Sequence, residues 1–132
     1  MVGKKVWMVG YGDKTLPQLV ELLRRSGVKR LVDIRAFPTS KREEFRKEEL
    51  EKHLPRHGLS YLHLPELGGY RKGGYRKFML TEEFSRGMER LEELAGRERV
   101  CVMCVEPLPS LCHRRFVAEE LRRRGWTVVE LG

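Results

Sequence analysis

The chain has 132 residues, 40% hydrophobic and 35% charged, with a formal net charge of +8. That length predicts one domain, able to bury roughly two-thirds of its unfolded surface without help from metals or disulfides. The apolar share excludes a disordered segment, and the longest apolar run, Val100 to Val105, falls far short of the ~20 residues of a membrane span. Met1-Val2-Gly3-Lys4-Lys5 leads only into the short run Val6 to Val9, too little for a signal-peptide core, so a cytoplasmic protein with no membrane partner is expected.

In chain order, Lys5 to Gly10 is an apolar strand ended by the turn Tyr11-Gly12-Asp13. Thr15-Leu16-Pro17-Gln18 is a capping box that opens a helix, stopped by Gly27. Arg30 to Phe37 predicts a second strand, ended by Pro38. Ser40 to Glu43 is a second capping box, opening a charged helix that runs to Pro55 and Gly58. Leu59 to Leu64 is the third strand, and Thr81 caps a helix ended by Gly96. Arg99 to Val105 is apolar on both faces, the mark of a buried parallel strand. A last helix spans Leu111 to Arg124, and Trp126 to Leu131 forms the fifth strand. Strands alternating with helices predict a single α/β domain over residues 1–132, with a mostly parallel five-stranded sheet, helices on both faces and strand order 3-2-1-4-5. Ligands of such sheets bind at the carboxyl ends of the strands.

Three cysteines, two of them within one strand, argue against a disulfide framework. Of the basic residues 18 are Arg and 9 Lys, with no Asn and only Gln18 as an amide, a pattern that fits a heat-adapted surface. The same charge also suits a phosphate-bearing partner.

The unusual residues follow the fourth strand. Cys104 and Glu106 share one side of it by the period-2 rule, while Cys112 and His113 are expected in the first turn of the next helix, where a thiol pKa falls. His113 is the candidate acid-base group, Glu106 its orienting partner, and Arg114 an anion holder. A cysteine-phosphatase cradle needs Arg six residues after Cys, but Ser110 and Ala118 stand there. A zinc site is a weaker candidate, since Cys104, Cys112 and His113 have awkward spacing, and no cofactor is required. Cys104 and Cys112 are also close enough along the chain to form a redox pair. On the second strand, Asp33 and Arg35 share a face within an apolar stretch, where each charge needs a partner. Ser40, as the next helix cap, marks a second anion-binding terminus at the same rim. Gly68-Gly69-Tyr70-Arg71-Lys72 repeats at once as Gly73-Gly74-Tyr75-Arg76-Lys77. Each unit offers glycines, an aromatic face and two cations suited to phosphate contact and base stacking, and Arg114, Arg115 and Arg122 to Arg124 extend the positive charge.

Val32-Asp33-Ile34-Arg35, Pro38, Ser40, Tyr61, Glu66-Leu67-Gly68-Gly69, Met103-Cys104-Val105-Glu106 and Cys112-His113-Arg114 together resemble domain-of-unknown-function family 488 over nearly the whole chain. The family pattern usually has Ala where Val105 stands, and often Gly-His-Ser where this chain has Gly10-Tyr11-Gly12. The resemblance implies an α/β domain with a shared site near Asp33, Arg35, Glu66, Cys104, Glu106, Cys112, His113 and Arg114, and it supplies no reaction. The reading from the residues is an enzyme with a reactive thiol at Cys104 or Cys112. His113 and Glu106 are its acid-base partners, Asp33 and Arg35 position the substrate, and that substrate is phosphorylated, a nucleotide or nucleic acid. The rivals are a nucleic-acid-binding module dependent on Arg71, Lys72, Arg76 and Lys77, and a thiol redox or metal-binding protein.

Overall fold

The computed structural model describes residues 4–69, 71–108 and 112–132. The first three residues, Tyr70 of the repeat, Ser110 and the expected helix start at Leu111 lie outside the described residues. Strands β1 (Lys5–Gly10), β2 (Arg30–Asp33), β3 (Ser60–His63), β4 (Val100–Cys104) and β5 (Thr127–Leu131) form one sheet in which every pairing is parallel. The helices are α1 (Leu16–Arg25), α2 (Lys47–His53), α3 (Tyr75–Phe78), α4 (Glu82–Arg97) and α5 (Arg114–Arg123). The α/β class is as expected. The strand order is not: it runs β3-β2-β4-β1-β5, with β4 between β2 and β1. A strand buried along its whole length and on both faces, as Val100 to Cys104 is, belongs at the centre of the sheet.

Each strand alternates its side chains between two cores. Val6, Met8, Val32, Val100, Val102 and Cys104 face the helices α4 and α5. Trp7, Val9, Leu31, Cys101 and Met103 face α1 and α2. The crossovers from β1 to β2 and on to β3 run in one direction along the sheet, those to β4 and β5 in the other. Crossovers of one hand then put α1 and α2 on one face and α4 and α5 on the opposite face. Among the described residues no helix is long and apolar enough to cross a membrane.

Local signals hold where they cap helices. Thr15 Oγ1 accepts from Gln18 N while Gln18 Oε1 accepts from Thr15 N, and Thr81 Oγ1 accepts from Phe84 N. The Ser40 box fails. Ser40 Oγ instead accepts from Arg42 N in a local turn, and the expected helix divides into two short 3-10 segments around α2, whose N-cap is Arg46. Ser40 therefore marks no helix terminus at the rim. Strand β2 also stops early, because the Asp33 carboxylate takes the Arg35 amide proton (3.0 Å) and turns the chain out of the ladder. At the start of α5, Cys112 precedes the helix and His113 is its N-cap residue, so neither lies in the first turn.

Two glycines set how the ends of β1 and β4 meet. A Cβ on Gly10 would lie 1.7 Å from the Glu106 carbonyl oxygen, and one on Gly12 would lie 2.8 Å from that of Val105. In their place Tyr11 N and Gly12 N donate to the carbonyls of Cys104 and Val105 at 3.0 and 2.7 Å. The loop after β4 is thus tied down against the first turn of the chain.

Candidate active site

A cavity of about 570 Å³ opens at the carboxyl ends of β2 and β4, where parallel sheets place their ligands. Arg35, Phe37 and Thr39 form one wall, Cys104, Val105 and Glu106 another. Gly69, Arg71, Tyr75, Cys112 and His113 complete it. The structure therefore gathers Arg35, Gly69, Arg71, Cys104, Glu106, Cys112 and His113 from four separate stretches of sequence.

His113 is oriented by the backbone and not by Glu106. Its Nε2 lies 3.0 Å from the Ile34 carbonyl oxygen, which can only accept, so Nε2 carries the proton and Nδ1 the lone pair. Nδ1 lies 3.8 Å from Cys112 Sγ, and the same sulfur accepts from Arg114 N at 3.4 Å. Burial, with the charges of Arg114 and Arg71, holds the imidazole below its ordinary value although the carbonyl bonds oppose the shift. That geometry turns the Nδ1 lone pair toward the Cys112 sulfur. Gly69 makes room for the ring: a Cβ there would lie 3.1 Å from Nδ1. Glu106 lines the cavity with an exposed side chain, beyond the end of β4.

Arg114 is fully buried and is not available to an external anion. Nε and Nη2 donate to the two Glu130 oxygens at 3.0 and 3.2 Å. Nη2 also donates to the Pro107 carbonyl (3.0 Å), and Nη1 to the Glu106 carbonyl and to Cys104 Sγ (3.0 Å). These bonds use all five guanidinium N–H groups. The side chain is a clamp that holds the loop after β4 and faces the Cys104 sulfur with positive charge. In the structure Cys104 and Cys112 are joined as a disulfide. The third cysteine, Cys101, points into the opposite core, where burial pushes its thiol up.

Asp33 and Arg35 satisfy each other, as their shared face predicts. Arg35 Nε donates to Asp33 Oδ1 at 2.9 Å and Nη2 to Oδ2 at 2.7 Å, and Tyr61 Oη donates to the same carboxylate. Arg35 Nη1 also reaches Tyr11 Oη and the Thr39 carbonyl. Burial works against the Arg35 charge, but the Asp33 bonds and charge outweigh it and raise its pKa. Burial and then the Asp33 charge raise that of Tyr61. Asp33 therefore positions Arg35, and Arg35 is the member of the pair on the cavity wall.

The described residues of the two repeat units take unlike conformations. Arg71 donates to the carbonyls of Gly68 (2.9 Å) and Pro65 (2.8 Å), pairs with Glu83, and stacks on Phe78 with its charge 3.8 Å from the ring centre. Gly68 is buried, and a Cβ there would meet Ala36 Cα at 2.8 Å. Gly73 and Gly74 have positive φ and turn the chain into α3, the one helix that sequence periodicity misses because it is a single turn. Tyr75 is core: its hydroxyl donates to the Leu67 carbonyl at 2.8 Å and its ring packs on His113 and Phe116. It presents no free face for base stacking. Lys72 and Lys77 lie outside the cavity lining, as do Ser40 and Glu66. Arg76 pairs with Glu119 at 2.7 Å. Among the described residues no group of three or more His, Cys, Asp or Glu is placed to hold a metal ion. Sequence reasoning missed the Ile34 carbonyl and Glu130, which stand far along the chain from the residues they bond, and took Tyr75 for a stacking face where it is a wall beside His113. The Arg114–Glu130 pair crosses from α5 to β5.

The model of the family "Domain of unknown function DUF488" matches residues 15–121. The chain belongs to the DUF488 family. The matched span takes in every cavity residue named above but ends before β5, so Glu130, the partner of Arg114, lies beyond it. No curated protein matches the sequence. Among solved structures, this DUF488 chain is similar to a protein described as a putative phosphatase (DUF442) from Shewanella putrefaciens CN-32. The TM-score is 0.55 at 13% identity, with 96% of this chain and 69% of the other covered. At that identity the likeness is one of fold.

Proposed function

We propose that this DUF488 protein is a thiol-dependent enzyme acting on a phosphorylated substrate, with Cys112 as nucleophile and His113 as its base. The observation that carries the reading is the bond of His113 Nε2 to the Ile34 carbonyl, which leaves Nδ1 3.8 Å from Cys112 Sγ in an open cavity. The Cys112 proton passes to Nδ1 as sulfur attacks phosphorus. The S–P bond forms, the P–O bond to the leaving group breaks, and the imidazolium returns the proton to the leaving oxygen. Water then gives a proton to Nδ1 and displaces sulfur, which recovers its proton from the imidazolium. Arg35 and Arg71 are the cations on the wall, and they come from loops other than the nucleophile's. That differs from the Cys-to-Arg cradle whose spacing is absent here, and the description of the DUF442 protein as a phosphatase accords with the reaction class.

The Cys104–Cys112 bond supports a second reading, thiol redox control of the same site. The disulfide has no nucleophile, and a dithiol reductant exchanges with it to restore two thiols. Turnover of phosphorylated substrates by the reduced protein is therefore expected to vanish on Cys112→Ser and to survive Cys101→Ser. Equal turnover by Cys112→Ser and the parent protein would end the proposal.

A further inference from the structure

Beside the cavity lies a second cleft of about 480 Å³ lined by Arg76, Arg115, Phe116, Glu119 and Arg122. Tyr75 is the wall between the two. It lines the cavity, its ring contacts His113 at 5.4 Å, and its other neighbour is Phe116, stacked on it at 5.4 Å. Two guanidinium groups sit over the Phe116 ring, Arg76 at 4.9 Å and Arg115 at 4.5 Å. Such stacking fixes the planes of the cations, and the edge of Arg76 is turned to Glu119.

The charge of the cleft is not cancelled from within. Glu119 is its acid, and both its oxygens are engaged by Arg76, one of them also by Arg123. Arg115 and Arg122 are exposed and make no close ion pair among the described residues, although the charge of Arg115 is felt by Glu119. Elsewhere on this helix the arginines are neutralised, Arg123 by Glu119 and Glu120, Arg124 by Glu92 and Glu120. The two uncompensated cations stand seven residues apart on one face of α5, roughly 10 Å along the axis at the helical rise. That is longer than one phosphate group spans, and Tyr75, beside the cleft through Phe116, lines the cavity.

We infer that the cleft is a subsite for successive phosphates of a single-stranded nucleic acid whose reacting end enters the cavity. The inference rests on the proposed reading of the cavity as a phosphoryl site, and it names the substrate class. Phosphates of the strand exchange their counterions for Arg115 and Arg122, so binding falls with salt. Base stacking on Tyr75 plays no part, because that ring is buried.

The test is fluorescence anisotropy of a labelled single-stranded 12-mer against the full chain at low salt, with a mononucleotide and inorganic polyphosphate as competitors. Arg115→Glu/Arg122→Glu is expected to weaken binding at least about tenfold and to flatten the salt slope by roughly one phosphate contact per arginine. Arg86→Glu/Arg97→Glu, with the same charge change on the exposed face of α4, is expected to alter binding less than about twofold. Competition by polyphosphate but not by the mononucleotide would support a chain of phosphates over a single one. Equal weakening by both double variants, or no binding of the 12-mer at low salt, would overturn the inference. Loss of turnover with binding intact, or of binding with small-substrate turnover intact, separates the failure of one reading from that of the other.

Discussion

Arg114→Leu is expected to lower the stability of the fold by about 3 kcal/mol, or roughly 10 °C in Tm for a domain of this size. The guanidinium is wholly buried and every N–H is bonded, so its loss leaves the Cys104 sulfur and the carbonyls of Glu106 and Pro107 without their donor. Glu130 keeps about a third of its side chain in water and can hydrate, which places the cost at the lower end of the range for a broken buried pair. Thermal unfolding measures it. A change under about 1 kcal/mol would mean that Arg114 is not the clamp described, and that its charge is free for a substrate after all.

His113→Gln is expected to slow the thiol chemistry about 10²–10⁴-fold while leaving the fold in place. A glutamine can still donate toward the Ile34 carbonyl but cannot take a proton from Cys112. The pH dependence carries the same prediction. Burial holds the folded imidazole below its unfolded value of about 6.5, so the neutral base persists under that pH and the acid limb of activity lies below it. As pH falls through about 6.5 the unfolded chain binds a proton that the folded one refuses, and this contribution to stability is lost. In the Gln variant that part of the pH dependence should be absent. An acid limb unchanged in His113→Gln would assign it to another group.

Much of the fold was legible because its signals are local. Thr15 and Thr81 cap their helices through bonds three residues away, and the alternation within β1 and β4 sorts side chains between two cores. Strand order was harder, since the pattern of β4 shows burial on both faces but not which neighbours cover it. The site was half legible. Cys104, Cys112 and His113 announce themselves by chemistry, whereas the group that fixes the His113 tautomer is a backbone carbonyl, which no side-chain pattern reports. Arg114 reads in the sequence as an anion holder, whereas the structure buries it and bonds it from within. Its five bonds are made to a strand residue and to main-chain oxygens that only the folded chain brings within reach. The repeat misled in the opposite way: identical five-residue units meet different surroundings, and packing sends Tyr75 inward.

The measurement that bears most directly on the thiol reading is the alkylation rate of each cysteine in the reduced protein between pH 5 and 9, resolved by mass spectrometry. Cys112 is expected to react at least about tenfold faster than an ordinary thiol near pH 7, whose pKa is about 8.5, with Cys104 slower and Cys101 last. Three cysteines that all titrate near the ordinary value, with Cys112 no faster than Cys104, would contradict the account.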